Sequence, residues 1–502
     1  MTKPSTPWLF AQRWPKLARR SLLKLAGAAA IAPAGAALGA DQGASKIKPS
    51  IWTVSFAGQS VWGYADKHSV SPGEGFDLML ATGPTSDGAT GRVEFFRIGA
   101  GGQHLVWTSR DVKLVQRPVL RTAATVGANW PPSLVDIDTS SWPPGYYSAD
   151  FVEATTGRRE LQVAQIVVTN PHRTGTVLLK LSTNTYQAYN GWGGHSLYEN
   201  GGIETRGTMV SFDRPTAPTF FEYEIYLARW LEALGTEAGF SVDYAADFDL
   251  HRDPGLAEHY PLLISGSHDE YWSKEMFDAV ERRILKLGRN VAFFGANAAY
   301  WQVRFVDVNR PRDGADLGRQ LVTYKDLVDP IARRKTDIDP ALLVTARFRD
   351  GARRPETMLM GVGFQSWFEP QGDLPRFPYV VADTDLPFFE GTGYRSGDIA
   401  ADVVGYEWDN RDPQGDGRRL WDEQRSRNAL LPAERVKVLF RGTPIDVDGK
   451  PGLAEAVYFE SPAGAKVFSA GSIRWAWGLG KPGFERADFK RFNANLVRWL
   501  LA

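Results

Sequence analysis

Pro261-Leu-Leu-Ile-Ser-Gly-Ser-His-Asp-Glu-Tyr-Trp272 is an apolar strand that runs into a polar tip, and a helical segment opens directly after it at Ser273. In an open α/β sheet, ligands bind beyond the carboxyl ends of the strands, so His268 and Glu270 stand where functional side chains are expected. Two residues apart in an extended loop, they point to the same side. A second apolar strand, Thr176-Val-Leu-Leu-Lys-Leu-Ser182, leads into Thr185-Tyr-Gln-Ala-Tyr-Asn-Gly-Trp-Gly-Gly-His-Ser-Leu-Tyr198. A third, Asn290-Val-Ala-Phe-Phe294, leads into Gly295-Ala-Asn297. The three tips are expected to converge on one sheet edge.

Between these strands lie helical periods. Tyr223, Tyr226, Leu227, Trp230, Leu231 and Leu234 recur at helical spacing, and a further helix runs from Ser273 to about Leu287. Short apolar strands alternating with amphipathic helices predict a three-layer α/β domain, its sheet mainly parallel with helices on both faces. The domain is placed at 171–502. Its second half carries the strands Lys437-Val-Leu-Phe440, Ala456-Val-Tyr-Phe459 and Lys466-Val-Phe-Ser469 and a last helix from about Asp488 to Leu501. The charged stretch of about 309–354 reads as an insertion or covering loop. Before the change at Asn170-Pro171, residues 45–170 read as short strands between Gly and Pro turns, the pattern of an immunoglobulin-like β-sandwich. The fold class is thus multidomain, β plus α/β.

At 502 residues the chain exceeds a single core. Its 58 basic and 58 acidic side chains cancel, so no net field favours nucleic acid or an anionic membrane, and no nucleic-acid partner is expected. Cysteine is absent, which excludes disulfides, thiolate ligands and a cysteine nucleophile. Ala18-Arg-Arg-Ser-Leu-Leu-Lys24 precedes a weakly apolar, Ala- and Gly-rich run, read as a twin-arginine signal peptide over 1–40. The run is too short and too mildly apolar for a stable membrane span. The expected location is periplasmic or secreted, by a route that carries folded, often cofactor-loaded proteins.

Without cysteine, a metal must be held by carboxylate, imidazole or phenolate, the last suiting a hard ferric ion. Tyr186, Tyr189 and Tyr198 are candidate phenolate ligands and Glu270 the carboxylate; tyrosines in Gly- and Trp-rich loops also pack or bind sugars. His268 either ligates, orients or moves a proton, or joins a salt-bridge network. Asn297 is a substrate donor or a turn former. Glu407, flanked by aromatics in Val403-Val-Gly-Tyr-Glu-Trp-Asp409, is a base raised by desolvation or the partner of an arginine. Trp475 and Trp477 wall the pocket or fill the core. Ser472 lacks the flanking pattern of a nucleophile elbow.

The Thr185–Tyr198 segment, Phe212-Asp-Arg-Pro215, Gly266-Ser-His-Asp-Glu-Tyr-Trp-Ser273 and Phe294-Gly-Ala-Asn-Ala-Ala-Tyr-Trp301 together resemble the large-subunit family of N,N-dimethylformamidase. The similarity runs from Ala65-Asp66 to Gly471-Ser472 and the last helix. It implies a β-sandwich followed by a domain like that of class I glutamine amidotransferases, without their cysteine. It also implies one ferric iron (Fe3+) held by two tyrosines and a glutamate. Carried onto this chain, these are Glu270, Tyr186 in preference to Tyr189, and Tyr198, with His268, Asn297 and Glu407 as pocket residues. The stretch between Tyr198 and Phe221 is shorter than in the amidase, which works with a small partner subunit on an intracellular substrate. The expected function is therefore an exported, iron-dependent hydrolase of a C–N amide bond in a small-molecule substrate, with Glu407 or His268 moving protons and a homo-oligomer left open. The alternative is a metal-free protein binding an envelope glycan, which rests on 17 Trp and 17 Tyr, many near Gly-rich loops.

Overall fold

The computed structural model describes residues 59–502 except 84–85, 199–205, 217–218, 308–317, 336 and 412–435. The twin-arginine reading over 1–40 lies outside the described residues. Two sheets come first. Val61–Ala65, Phe76–Thr82 and Leu134–Ile137 form one; Gly145–Glu153 and its neighbours Arg159–Val168 and Thr90–Gly99 form the middle of the other. Alternate residues of both, among them Leu78, Leu80, Phe95, Tyr147 and Phe151, share one core with Trp142, making a sandwich.

The α/β unit is built on nine strands in the order Val242–Ala246, Val177–Leu181, Leu262–Ser267, Asn290–Gly295, Lys466–Ser469, Ala454–Glu460, Lys437–Gly442, Phe377–Val381 and Ile399–Val404. The period of two divides each central strand between two layers. Leu178, Leu263, Val291 and Phe293 pack with Met276, Phe277 and Val280 of the helix Lys274–Leu285. Leu179, Leu262, Ile264 and Phe294 pack with Leu227 and Leu231 of Glu224–Ala238 and with Leu496 of Ala487–Leu501. Ser273 starts the first of these helices, its Oγ accepting from Met276 N at 3.2 Å.

The first five strands in this order are parallel, as expected, but the other four alternate antiparallel, so the sheet is mixed rather than mainly parallel. Only the short segments 443–453 and 461–465 join the strands from Lys437 to Ser469, and a parallel return needs a longer crossover. The insertion also does more than cover. Gln320–Val322 pairs antiparallel with Met209–Ser211 and with Trp301–Val306, and Tyr271–Ser273 pairs with Trp301–Val303, giving a second sheet of four strands beside the strand tips.

A buried ion triad ties the tips together. Lys180, 1% exposed, donates to Asp247 and, at 2.7 Å, to Asp269, while Asp247 Oδ2 accepts Asn184 N at 2.7 Å and Asp269 Oδ2 accepts Ser265 Oγ at 2.6 Å. Three chain segments that leave the sheet, at Asn184, Asp247 and Asp269, are thereby held to one ammonium. Glu224 adds a second clamp by accepting both Ser182 N and Ser182 Oγ at 3.0 Å; burial pushes its carboxyl up to about 8 against those bonds.

The sandwich docks on the α/β unit through Arg97 and Glu232, 2.7 Å apart, through Tyr146 stacked on Phe220 at 3.8 Å, and through His68 among Phe212, Phe248 and Phe305. Among the described residues, no helix is long and apolar enough to cross a membrane.

Removing one member of a buried charge cluster leaves the others uncompensated. Lys180→Met is expected to cost about 3–5 kcal/mol in urea unfolding, far more than loss of an exposed lysine. Burial, then Arg319, holds the His68 imidazole well below its ordinary value, so the folded chain refuses a proton that the unfolded chain accepts near pH 6.5. That contribution is complete above about pH 6.5 and is lost as pH falls below it. Between pH 7 and pH 5 the wild type should therefore lose more stability than His68→Phe.

Candidate active site

Three strand tips do meet. Leu181 leads through Ser182 into the one-and-a-half-turn helix Thr183–Ala188, which ends at Tyr189; Ser267 leads into His268-Asp-Glu270; and Gly295 leads into Asn297. Glu407 arrives from the far edge of the sheet, after the strand Ile399–Val404. Ser472 fixes that arrival. Its Oγ accepts Gly405 N at 3.0 Å and donates to the Val403 carbonyl, and Asp409 N donates to Gly471 O at 3.1 Å. Asn297 N donates to Asp409 Oδ1 at 2.9 Å, which closes the strand tips onto the incoming segment. Burial pushes the Asp409 carboxyl up to about 7.

The backbone of Glu270 is equally constrained. Its N–H donates to Thr185 Oγ1 at 3.1 Å, and its carbonyl accepts both Tyr300 N and Trp301 N at 3.0 Å. Its Oε2 accepts the Tyr189 hydroxyl at 2.7 Å and lies 3.3 Å from His268 Nε2. The same Nε2 is 3.1 Å from Glu407 Oε2, and Asn297 Nδ2 donates to that Oε2 at 2.8 Å. Tyr189, His268, Glu270, Asn297 and Glu407 are each between 2 and 7% exposed. His268 Nε2 sits between the two carboxylates in line with neither as a hydrogen bond.

Such packing of charge fixes protons. Burial opposes the charge on His268, but Glu407 and Glu270 outweigh it and push the imidazole up to about 10. The side chain is thus an imidazolium, and its Nδ1–H donates to the Tyr406 hydroxyl at 3.0 Å. Burial likewise raises Glu270, yet His268, Lys325 and Tyr189 together hold its carboxyl below the ordinary value. The Tyr189 hydroxyl is pushed well above its usual range, by burial first and then by Glu270. Tyr189 is therefore a neutral phenol sharing its proton with a carboxylate.

The tyrosine at Glu270 is Tyr189, whereas Tyr186 was the one favoured from sequence. Tyr186 lines a cleft at the sandwich junction, and its hydroxyl has no partner. The two lie three apart on a helix that ends between them, so only the second reaches the tips. Tyr198 stacks on Tyr189 at 5.1 Å between centroids and 21° between planes. Lys325 Nζ lies 5.0 Å from the Tyr198 ring centroid and donates to Tyr271 Oη at 2.7 Å. Tyr406 and Lys325 were not singled out from sequence. Tyr406 adjoins Glu407, where strand alternation sends neighbours to opposite faces, and Lys325 belongs to the stretch read as a cover. Trp475, wholly buried with Nε1 donating to Asn493 Oδ1 at 2.8 Å, belongs to the core. Trp477 stacks on Tyr223, whose ring is 6.0 Å from that of Tyr406. Trp192 meets Trp130 edge to face at 5.5 Å, joining the tyrosine loop to the sandwich.

Among the described residues, no group of three or more His, Cys, Asp or Glu side chains is placed to hold a metal ion. Phenol oxygen would have to complete a site. The Tyr189–Glu270 contact fits that requirement, because a hard cation replacing the shared proton finds a phenol and a carboxylate oxygen already together, with a second phenol stacked alongside.

A family model described as N,N-dimethylformamidase beta subunit-like, C-terminal matches residues 92–488, which include every residue of the site. No curated protein matches the chain. On that match, which spans most of the sequence, the chain belongs to the N,N-dimethylformamidase beta subunit-like family.

Proposed function

We propose that the chain is an amide hydrolase of the dimethylformamidase type, exported by its twin-arginine leader, with one ferric ion held by Glu270, Tyr189 and Tyr198. The single observation that carries the metal reading is the 2.7 Å contact of the Tyr189 hydroxyl with Glu270, two buried oxygens sharing one proton. When bound, the ion supplies Lewis-acid polarisation of the amide carbonyl and acidifies a water.

The remaining work falls to the chain. Asn297 anchors Glu407 through its amide N–H, leaving that carboxylate oriented to take a proton from an attacking water. His268 carries a proton on Nε2 between the two carboxylates and is suited to deliver it to the departing nitrogen, which must leave as an amine. Tyr406 holds the imidazole through Nδ1 and so fixes which edge faces the site. The near absence of exposure at all these groups strengthens every charge interaction among them.

Protein purified through its export pathway is expected to contain stoichiometric iron and a visible phenolate-to-iron absorption. Tyr189→Phe and Glu270→Gln should lose both, and Tyr186→Phe should keep both; colourless, metal-free, fully folded wild type would sink the reading. Glu407→Gln, which retains an oxygen for Asn297 but not the charge, should keep the iron and lower kcat on an amide substrate by roughly 10²–10⁴-fold. Replacing Arg19 and Arg20 by lysine should leave the chain in the cytoplasm, as cell fractionation would show.

A further inference from the structure

Tyr189 and Tyr198 stand at the two ends of a loop that contains neither strand nor helix. Its neck is closed where Leu197 N donates to Ala188 O at 2.8 Å and the two phenol rings stack. The Asn190 side chain fastens its first turn, accepting Trp192 N at 3.0 Å and donating to Pro215 O at 2.8 Å. Three carbonyls here, of Gln187, Trp192 and His195, turn toward the protein and need donors. One side chain serves all three. Arg214, 0% exposed, donates from Nη1 to Trp192 O at 2.5 Å and to His195 O at 3.2 Å, and from Nη2 to Gln187 O at 3.2 Å, while its Nε donates to Ser211 O at 3.0 Å.

The turn Phe212–Pro215 holds the guanidinium in place. Asp213 Oδ1 accepts Arg319 Nε at 3.0 Å from the insertion, Asp213 O accepts Ala128 N of the sandwich at 2.7 Å, and the Phe212 ring lies 4.3 Å from that of His68. Burial pulls Arg214 down to about 9, and no carboxylate among the described residues offsets that cost. A buried cation without a counter-charge is a poor source of stability. What a guanidinium offers instead is a planar fork whose N–H groups bond several carbonyls at fixed angles.

We propose that Arg214 is a positioning residue for the pair of phenols: by gathering the carbonyls of Gln187, Trp192 and His195 it folds the loop whose ends bring Tyr189 and Tyr198 together beside Glu270. Its effect on catalysis rests on the proposed hydrolase activity; its ordering of the loop does not. Because Arg214 meets carbonyls and not a carboxylate, replacing it strands no opposite charge, and the damage stays local.

Hydrogen exchange of the full-length mature protein, read by mass spectrometry over the loop 189–198 and over the central strand Ala454–Glu460, tests this. Arg283 is the control. It is also 0% exposed and donates to the carbonyls of Ala257, Tyr260, Pro261 and Asn290, at the amino ends of the strands Leu262–Ser267 and Asn290–Gly295, away from their tips. Arg214→Lys keeps the charge but concentrates its donors at one point. The loop should then exchange about tenfold faster or more, the cost of leaving buried carbonyls without donors, while the strand is unchanged. Per folded molecule, kcat on an amide substrate should fall about 10²-fold in Arg214→Lys, with the phenolate-to-iron band shifted or lost, and Arg283→Lys should keep both. Arg214→Gln repeats the comparison without the charge where the lysine variant does not fold. The proposal is overturned if folded Arg214 variants exchange the loop as slowly as wild type, or faster only in step with the strand. It is also overturned if loop protection is lost with kcat and the band unchanged, if Arg283→Lys disturbs the loop and kcat equally, or if both Arg214 variants collapse while Arg283→Lys folds. Wild-type protein without iron or amide hydrolysis would sink the hydrolase reading and leave the exchange comparison to decide the role of Arg214.

Discussion

Lys180 is the constraint on which the candidate site depends. A lysine in the fully buried strand Val177–Leu181, whose other residues are apolar, is costly unless its charge is met, and here two aspartates from different segments meet it. The cost of leaving any of the three unpaired forces the segments at Asn184, Asp247 and Asp269 into one arrangement. Asp269 stands between His268 and Glu270, so fixing its carboxylate inward sets the two flanking side chains toward the opposite side of the tip. The geometry of the site is in this sense a by-product of a charge buried one layer below it.

Above that layer the same low-exposure environment acts on protons. Two carboxylates within 3.3 Å of one imidazole nitrogen keep His268 charged against its own burial, while burial and the neighbouring Glu270 keep Tyr189 neutral. Lys325 contributes from the insertion, over the rings of Tyr198, Tyr271 and Trp301, each at 5.0 Å. It lends positive charge to Glu270 from the turn that follows the inserted strand Gln320–Val322. The site therefore draws on the sheet, the far strand edge and the insertion at once.

Much of the frame is legible along the chain because it is written in local periods. The strands Leu262–Ser267 and Asn290–Gly295 and the helices Glu224–Ala238 and Lys274–Leu285 lie within a few residues of the expected positions. His268 and Glu270 share a side because a two-residue spacing in extended chain requires it. The mixed character of the sheet is less visible, since an apolar strand reads alike whether its neighbour runs parallel or antiparallel. The decisive clue there is the length of the connections between Lys437 and Ser469, which are too short for crossovers.

The choice between Tyr186 and Tyr189 marks where local information stops. Both are phenols in one motif, three residues apart, and nothing in their spacing tells which hydroxyl faces Glu270 and which faces the sandwich. The same holds for Glu407, Tyr406 and Lys325, which reach His268 and Glu270 across 55 to 139 positions of chain through a serine anchor, an aspartate and an inserted strand. The sequence by itself determined the α/β core, its strand tips and the chemical types gathered there, because hydrophobic period and turn chemistry act over a few residues. Only the tertiary structure decided which of those groups touch, because such contacts are selected by burying charge and polar atoms against partners distant in the chain.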